Sequence, residues 1–316
     1  MLKYIFENER VYQAKISKVL NLSPPTVSRN LLPYFAKKIL RKNGKIETKM
    51  GRKAEIIEFS DEYKALGIQI DKNFLKLCVV GLNRKTFKYW EKNVDTSNFE
   101  KLKITLKEEL KKIRDMKIVS TVIGFSGYII QNKFMFSSIT NWGNAPCEDI
   151  IQLIGSNFPN SIIYFENDAN LLAIREKYFQ KEKDNLICIY WGYGIGMGII
   201  IKGDLYIGQG MAGELGQIKI DNVILEELLR GKNKNEMTTK WLEIIENLIY
   251  LFHPKKIVLN IPFNGILNDI INSYNSQLKE KLQVVVEKTD NSEKAIIEGA
   301  IILASDLFLS KIATYY

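Results

Sequence analysis

The first forty residues carry short apolar stripes that have the spacing of three helices. Two stripes precede residue 22, with apolar positions recurring every three or four residues: Leu2, Ile5 and Phe6, then Ala14, Ile16, Val19 and Leu20. A third helix is predicted to begin after Ser23, because serine caps helix N-termini and Pro24 is tolerated in the first turn. Its buried face is expected to comprise Val27, Leu31 and Phe35.

The opposite face of this third helix is polar near its N-terminal end. Together with the capping serine, this face would expose short side chains and one guanidinium: Ser23, Pro24, Pro25, Thr26, Ser28 and Arg29. Recognition helices present such an end to base edges and phosphates in the major groove of DNA. The third helix is therefore a candidate recognition helix.

Two strand patterns follow, at residues 39–43 and 54–59, and a basic segment joins them. Three helices followed by a hairpin predict a winged helix-turn-helix domain over residues 1–60. At the tip of the hairpin, Gly51, Arg52 and Lys53 could lay an arginine in a narrow minor groove, where negative potential is concentrated.

The net charge of this 316-residue chain is +9, and its location supports the same prediction. Residues 1–53 contain 13 lysines and arginines against 3 glutamates, so this segment carries +10 and the remainder −1. A basic module on a neutral body is typical of a nucleic-acid-binding head. Charge alone leaves open that lysines only keep a small domain soluble, and helix spacing alone leaves open a structural or docking role. We expect DNA binding because helices, hairpin and charge coincide.

From residue 64 onward, strand and helix patterns alternate, which predicts an α/β fold. Strands are predicted at 66–71, 75–80, 118–124 and 161–165, and helices at 99–116 and 169–179. A glycine-rich segment follows at 191–198. By itself it is weak evidence of a ligand site, since tight turns and close strand packing also require glycine.

Cysteine spacing and hydropathy exclude several classes of protein. Cys78, Cys147 and Cys188 lie far apart, so neither a disulfide framework nor a local zinc knuckle is expected. No apolar run approaches the ~20 residues that a membrane span needs, and charges interrupt the N-terminus before a signal-peptide core could form. We therefore expect a cytoplasmic protein.

The order of several short motifs is more specific than any one of them. The motifs are residues 22–29, Gly51-Arg52, 123–127 (IGFSG), 166–170 (ENDAN), 193–196 (YGIG), 212–216 (AGELG) and 298–300 (EGA). In this order and spacing, nearly the whole chain resembles the ROK family (repressors, open reading frames and kinases). The resemblance implies a winged helix followed by a two-lobed, actin-like and ribonuclease-H-like sugar-kinase fold, commonly dimeric, with a sugar pocket between the lobes. The expected first lobe is 61–168 with a C-terminal helix at 293–316, and the expected second lobe is 169–292.

The resemblance also implies roles for individual residues. Asp168 matches the base that takes a proton from the sugar hydroxyl in family kinases. Asn167 and Glu214 match residues that hold sugar hydroxyls, and Glu226 matches another. Carboxylates suit both tasks, since they accept two vicinal hydroxyls and can act as general bases. Two alternatives stay open: a helix N-cap for Asn167 and Asp168, and a turn with a solvated carboxylate for Glu214.

Departures from the family pattern favour a regulator over a kinase. Where family kinases have a glycine-rich phosphate turn, this chain has Asp71-Lys72-Asn73-Phe74, so side chains stand where phosphates need bare backbone N–H groups. A second glycine pair, which lies beside the adenosine in family kinases, is replaced by residues 259–263 (LNIPF). We therefore expect no ATP cofactor, and we expect Asp168 to be a vestigial base.

The structural zinc site of the family is also missing from the sequence. Its histidine position is Gln217, the connection 218–224 has no cysteine, and His253 is the only histidine. We therefore expect no metal site. Gln217 can still offer a hydrogen bond to a sugar hydroxyl. His253 is expected at a helix end. In the sugar-contact loop Ser138 stands where the family has asparagine. Trp142 is expected in the core, with a sugar-facing wall as the alternative.

These expectations combine into one hypothesis. The chain is predicted to be a homodimeric repressor that binds an inverted repeat of double-stranded DNA and senses a sugar without phosphorylating it. The effector site would comprise Ser138, Asn167, Asp168, Glu214, Gln217 and Glu226. Two rivals stay open: an active ATP-dependent sugar kinase with an added DNA-binding head, and a repressor whose body is only a dimerisation scaffold.

Overall fold

A computed structural model describes residues 1–8, 10–47, 53–71, 73–83, 86–130, 133–135, 142, 145–179, 184–192, 194–230 and 232–314. The N-terminal head comprises three helices and an antiparallel hairpin. Its elements are α1 (Leu2–Glu7), α2 (Gln13–Val19), α3 (Pro24–Ala36), β1 (Leu40–Glu47) and β2 (Lys53–Phe59). Helix α3 begins as the sequence predicts, since the Ser23 side chain caps it by accepting a hydrogen bond from the Thr26 N–H.

The apolar stripes of the head meet in one cluster with the hairpin. Val27 and Leu31 are fully buried there, whereas Phe35 is only partly buried and the neighbouring Tyr34 takes the inner position. Val19, which belongs to the second apolar stripe, is 54% exposed. Helix α2 ends at Val19, so only the turn around Ile16 packs inward.

The first half of the body contains a mixed five-stranded sheet with strand order β5-β4-β3-β6-β9. Its elements are β3 (Tyr63–Ile70), β4 (Phe74–Gly81), β5 (Thr86–Asn93), α4 (Phe99–Lys111), β6 (Lys117–Phe125), β7 (Tyr128–Ile130), β8 (Lys133–Met135), α5 (Cys147–Asn157) and β9 (Ile162–Asn167). Strands β3, β6 and β9 are parallel to one another, while β4 and β5 form an antiparallel meander on the other side of β3. Helices α4 and α5 pack on one face of the sheet.

The second half repeats this topology with the order β12-β11-β10-β15-β16. Its elements are α6 (Asp168–Phe179), β10 (Leu186–Trp191), β11 (Ile195–Ile201), β12 (Asp204–Leu205), a 3-10 turn (Leu215–Gln217), β13 (Lys219–Ile220), β14 (Val223–Ile224), α7 (Leu225–Leu229), α8 (Lys234–Phe252), β15 (Lys256–Asn260), α9 (Asn264–Gln277), α10 (Lys279–Leu282), β16 (Val285–Lys288) and α11 (Ala295–Thr314). Again an antiparallel meander precedes two parallel strands. The two sheets therefore share one strand order.

Helices α6 and α11 lie between the two sheets and contact both through a small-residue cluster. Their close approach depends on glycine: a Cβ on Gly299 would lie 2.1 Å from the Leu171 carbonyl oxygen, and a Cβ on Gly67 would lie 3.1 Å from Ile301. An ion pair between Arg175 and Glu298 at 3.0 Å also joins α6 to α11. The EGA motif of the sequence is thus a packing site between these helices.

The head is joined to the body through the far end of α11. Phe308, Leu309 and Ile312 belong to the same apolar cluster as the head residues. Tyr63 stacks on Phe308 with ring centroids 6.1 Å apart and donates a hydrogen bond to the Lys37 carbonyl at 2.7 Å. Helix α11 therefore packs on the first sheet and on α6 and contacts the head at its end.

Two further sequence predictions can be compared with the structure. His253 lies at a helix end as expected, where it closes α8 in a left-handed conformation with φ 41°. Within the described ranges, none of the helices has the length and apolar character that crossing a membrane requires.

Candidate functional site

The carboxyl ends of β3, β6 and β9 lie at one edge of the first sheet, because these strands are parallel. Asp71 follows β3, Ser126 follows β6, and Asn167 ends β9 directly before α6 begins at Asp168. Polar groups at the carboxyl ends of parallel strands are where open α/β sheets commonly bind ligands. The edge is therefore a candidate binding site.

Asn167 and Asp168 form the N-terminal cap of α6. The Ala169 N–H donates to Asn167 Oδ1 and to Asp168 Oδ1, both at 2.8 Å. Asn167 Nδ2 donates to the Gly127 carbonyl at 2.9 Å, which fixes the orientation of the amide. The helix-cap alternative is thus present in the structure, and it leaves the second oxygen of Asp168 for another partner.

Asp168 is 8% exposed, and its surroundings oppose ionisation. Burial raises the pKa of its carboxyl well above the usual 3.8, and the negative charges of Asp71 and Glu214 raise it further. The Ala169 N–H and the Ser126 hydroxyl act in the opposite direction by donating to the carboxylate. When it is ionised, a carboxyl in these surroundings accepts hydrogen bonds strongly, and its burial lowers the stability of the folded chain.

Glu214 is held beside β11 by a turn that only glycine can make. Gly213 has φ +95°, and a Cβ there would lie 1.9 Å from the Met197 carbonyl oxygen. The Met197 N–H donates to the Gly213 carbonyl at 2.7 Å. Burial raises the pKa of Glu214, and the charge of Glu226 adds to this effect. Glu214 is therefore half-buried beside other acids and is not a fully solvated turn residue.

Glu226 is buried under the same loop, at 8% exposure. Its Oε1 accepts a hydrogen bond from the Ile195 N–H at 2.9 Å. A Cβ on Gly216 would lie 2.2 Å from that oxygen, so the AGELG motif packs directly on the Glu226 side chain. Glu226 thus anchors the loop that carries Glu214.

The structure places several of the predicted effector residues near one another, and the Gln217 N–H donates to the Glu214 carbonyl at 3.1 Å. Asn167 and Asp168 are adjacent. In addition to burial, the charge of Glu214 raises the pKa of Asp168, and the charge of Glu226 raises the pKa of Glu214. Gln217 ends the 3-10 turn with an exposed side chain. Ser138 lies outside the described residues.

The glycine-rich segment packs against the start of α6. A Cβ on Gly196 would lie 2.8 Å from Ala169 Cβ, and one on Gly198 would lie 2.2 Å from the Ala169 carbonyl oxygen. These two glycines let β11 approach the helix that carries Asp168. Strands β10 and β11 pair as an antiparallel hairpin, so the glycine-rich segment includes the turn between two strands.

Phe74 and Phe263 lie in the two segments where the sequence lacks the expected glycines. In the turn between β3 and β4, the Asp71 N–H donates to the Phe74 carbonyl at 3.0 Å, and the Phe74 ring lies 4.9 Å from Lys76 Nζ. Lys72 lies outside the described residues. Beyond β15, the Phe263 ring contacts Trp191 edge-on, with centroids 5.5 Å apart.

The candidate DNA-contacting residues of α3 share one exposed surface. Every member is exposed except Thr26, which is half-buried: Ser23, Pro24, Pro25, Thr26, Ser28 and Arg29. Lys53, the first residue of β2, is exposed at the end of the hairpin. Gly51 and Arg52 lie outside the described residues.

Metal chemistry has no candidate within the part of the chain that the structure describes. No three His, Cys, Asp or Glu side chains are grouped there so as to hold a metal ion. Cys78, Cys147 and Cys188 are buried free thiols. Trp142 is buried as expected, and its indole N–H donates to the Thr96 carbonyl.

Sequence reasoning did not single out Tyr190, the residue before the last one of β10. The charges of Asp168 and Asp71 contribute to raising the pKa of its phenol, after the larger effect of burial. A tyrosine after LICI is an ordinary strand residue, so the only available signal was its position just before the glycine-rich turn.

Comparisons with known proteins identify the family and the fold of the chain. The sequence model described as ROK family matches residues 65–236. A putative xylose repressor of Caldicellulosiruptor sp. (strain Rt8B.4) is 28% identical over 236 residues, which cover 70% of this chain and 58% of that protein. The xylose repressor of Staphylococcus xylosus is 25% identical over 360 residues, which cover 95% of this chain and 91% of that protein.

Among solved structures, a ROK family transcriptional regulator described as a homolog of the E. coli MLC protein has a TM-score of 0.76 at 17% identity. The match covers 98% of this chain and 96% of that one. At this identity the match establishes the fold, an α/β fold of the ROK type with mixed sheets.

Proposed function

This chain belongs to the ROK family, and we propose that it is a sugar-responsive transcriptional repressor without kinase activity. Residues 1–60 would act as a winged helix-turn-helix, with 61–168 and 293–316 as the first lobe and 169–292 as the second. A homodimer would place two heads on an inverted repeat of double-stranded DNA in the cytoplasm. Two relatives named xylose repressors support this proposal.

One observation carries the DNA-binding part of the proposal. The N-terminal turns of α3 expose Pro24, Ser28 and Arg29 on the head, while the opposite face of the same helix is buried in the shared apolar cluster. The head also carries a net charge of +10 over residues 1–53. A polar helix end on a rigid basic module suits the major groove.

The sensing part of the proposal rests on the link between the cleft and the head. Asp168 begins α6, α6 packs on α11 at Gly299, and α11 reaches the head cluster at Phe308. A sugar that binds one arrangement of the lobes more tightly would shift the dimer toward that arrangement. The spacing of the two recognition helices would change with it.

The charge of the cleft limits the kind of sugar. Asp71, Asp168 and Glu214 bring acidic groups to one place, and the pKa values of Asp168 and Glu214 are raised by their neighbours as well as by burial. A phosphate or carboxylate on the ligand would add further repulsion. We therefore infer a neutral sugar as effector, and xylose is the first candidate because of the named relatives.

The rival function, sugar phosphorylation, is favoured by Asp168 and by relatives named glucokinases, which match 33% of this chain at 34% identity. A γ-phosphate would have to reach the hydroxyl beside this carboxylate, across a β3–β4 turn that carries Asn73 and Phe74. Phosphate loops use bare backbone N–H groups at that place. We therefore propose that Asp168 accepts a hydrogen bond from the effector and transfers no proton.

Replacing Arg29 with alanine is expected to weaken operator binding by roughly 5–100-fold, because an arginine contact to a base or phosphate contributes about 1–3 kcal/mol. Fluorescence anisotropy on a selected operator at several salt concentrations measures the effect. If Arg29 contacts a phosphate, the slope of log affinity against log salt falls by about 1.

Arg114→Ala is the matched control, since Arg114 is an exposed arginine on the body, with a 70% exposed side chain. Its operator affinity should equal that of the wild type. Equal affinity for Arg29→Ala and the wild type would remove the recognition-helix assignment.

A neutral sugar and its phosphorylated form are expected to differ strongly in their affinity for this chain. If xylose binds the wild-type chain in calorimetry, xylose 5-phosphate should bind at least about tenfold more weakly, since two added negative charges would face the acidic cleft. Higher salt should reduce the difference in affinity between the two sugars, because it screens the charges. Tighter binding of the phosphorylated sugar would contradict a neutral effector.

A further inference from the structure

The effector residues assigned so far are rich in hydrogen-bond acceptors and poor in donors. Asp168, Glu214 and Glu226 accept hydrogen bonds when ionised, and the Asn167 amide already donates to Gly127. Gln217 has amide donors, but its side chain is exposed. A sugar hydroxyl both donates and accepts, so full recognition also needs a donor inside the cleft.

Strand register places Tyr190 where such a donor is needed. Tyr190 on β10 pairs directly with Gly196 on β11, so their side-chain positions lie on the same face of the sheet. A Cβ on Gly196 would lie 3.7 Å from Asn167 Oδ1 and 3.9 Å from Asp168 Oδ1. The face that carries Tyr190 is thus the one that meets the effector residues.

The phenol ring folds back over the glycine-rich turn. A Cβ on Gly192 would lie 2.6 Å from Tyr190 Cε1 and 3.0 Å from its hydroxyl oxygen, so the bare backbone of Gly192 is covered by this ring. Among the described residues, no hydrogen bond engages the Tyr190 hydroxyl. The pKa of the phenol is raised well above 10, mainly by burial, so the hydroxyl keeps its proton.

We propose that Tyr190 is an effector-binding residue whose hydroxyl donates a hydrogen bond to the sugar hydroxyl that Asp168 accepts from. A carboxylate and a phenol then satisfy both functions of one hydroxyl group. The ring would also close the space above Gly192, so that the site fits a sugar without a phosphate beside it. This assignment rests on the proposed sugar-sensing function.

Calorimetry with the full-length chain tests the assignment. Tyr190→Phe removes only the hydroxyl and is expected to weaken binding of the effector sugar by about 3–10-fold, the usual worth of one neutral hydrogen bond. Tyr206→Phe is the matched control, because Tyr206 is 50% exposed on a loop, and it should bind like the wild type. Operator affinity without sugar should be unchanged in both variants.

Monodeoxy analogues of the sugar make the test specific to one hydroxyl. One analogue should bind the wild type and Tyr190→Phe equally, and the same analogue should be insensitive to Asp168→Asn. If Tyr190→Phe binds the parent sugar as tightly as the wild type, the assignment is overturned while sugar sensing stands. The assignment also fails if every analogue is weakened alike, because that marks a structural role. No binding of any neutral sugar to the wild type overturns both.

Discussion

Asp168→Asn is expected to weaken the response to sugar strongly while leaving operator binding intact. The amide keeps the size of the carboxyl and its contact with the Ala169 N–H. It loses the charge-assisted acceptor, which contributes about 1.5–3 kcal/mol, so sugar affinity should fall roughly 10–100-fold. Calorimetry and operator anisotropy on the same preparation separate the two effects.

The same variant is expected to be more stable than the wild type. Burial and the charges of Asp71 and Glu214 raise the pKa of Asp168 above its unfolded value of 3.8, so the folded chain holds this proton more tightly. The free energy of unfolding therefore falls as pH rises from 3.8 through the folded pKa, and the full penalty is present above it. Removing the charge should raise Tm at neutral pH by roughly 2–6 °C.

Asp115→Asn is the control for both measurements, since Asp115 has a 96% exposed side chain. Its sugar affinity and Tm should match the wild type. The pH dependence of stability between neutral pH and pH 5 should be shallower in Asp168→Asn than in Asp115→Asn. A lower Tm for Asp168→Asn would contradict the account of a destabilising carboxyl in the cleft.

Gly299→Ala is expected to cause a large loss of stability. Its Cβ would lie 2.1 Å from the Leu171 carbonyl oxygen and 2.7 Å from the carbonyl carbon, so the α6 backbone would have to move. Overpacking against backbone costs about 3 kcal/mol, which corresponds to a fall in Tm of roughly 6–12 °C. Chemical unfolding followed by circular dichroism measures this loss.

Gly155→Ala provides the matched control on another helix. No atom lies within 4 Å of a Cβ at Gly155 in α5, so the substitution should stabilise the helix by about 0.5–1 kcal/mol. A loss of stability in Gly299→Ala together with a gain in Gly155→Ala would support close packing of α6 on α11. A Gly299→Ala chain as stable as the wild type would show that the two helices can separate without cost.

The sequence predicted the elements of the head well because their signals are local. Ser23, Pro24 and the apolar face around Val27 specify the start and the orientation of α3 by themselves. The apolar stripe of α2 does not specify burial by itself, since Val19 at the helix end is exposed. The repeated strand order of the two sheets was accessible only through the family resemblance, since it arises from pairing between distant segments.

Sequence motifs identified some residues of the candidate site, but only the structure shows how the side chains there are oriented. ENDAN and AGELG led to Asp168 and Glu214, which lie close enough for their charges to interact. Gln217, a predicted hydrogen-bond partner of the sugar, has an exposed side chain at the end of the 3-10 turn, and its role stays a prediction. Tyr190 was missed because only the register with Gly196 reveals which way it faces.

The central claim is that this chain reads DNA under the control of a neutral sugar. The most direct measurement is anisotropy of an operator, selected from a random double-stranded library by the full-length chain, with and without xylose and related neutral sugars. We predict an inverted-repeat operator whose affinity changes with one of these sugars, with a much smaller change in the Asp168→Asn chain. Failure to select any sequence, together with Asp168-dependent release of ADP from ATP and a sugar, would contradict it.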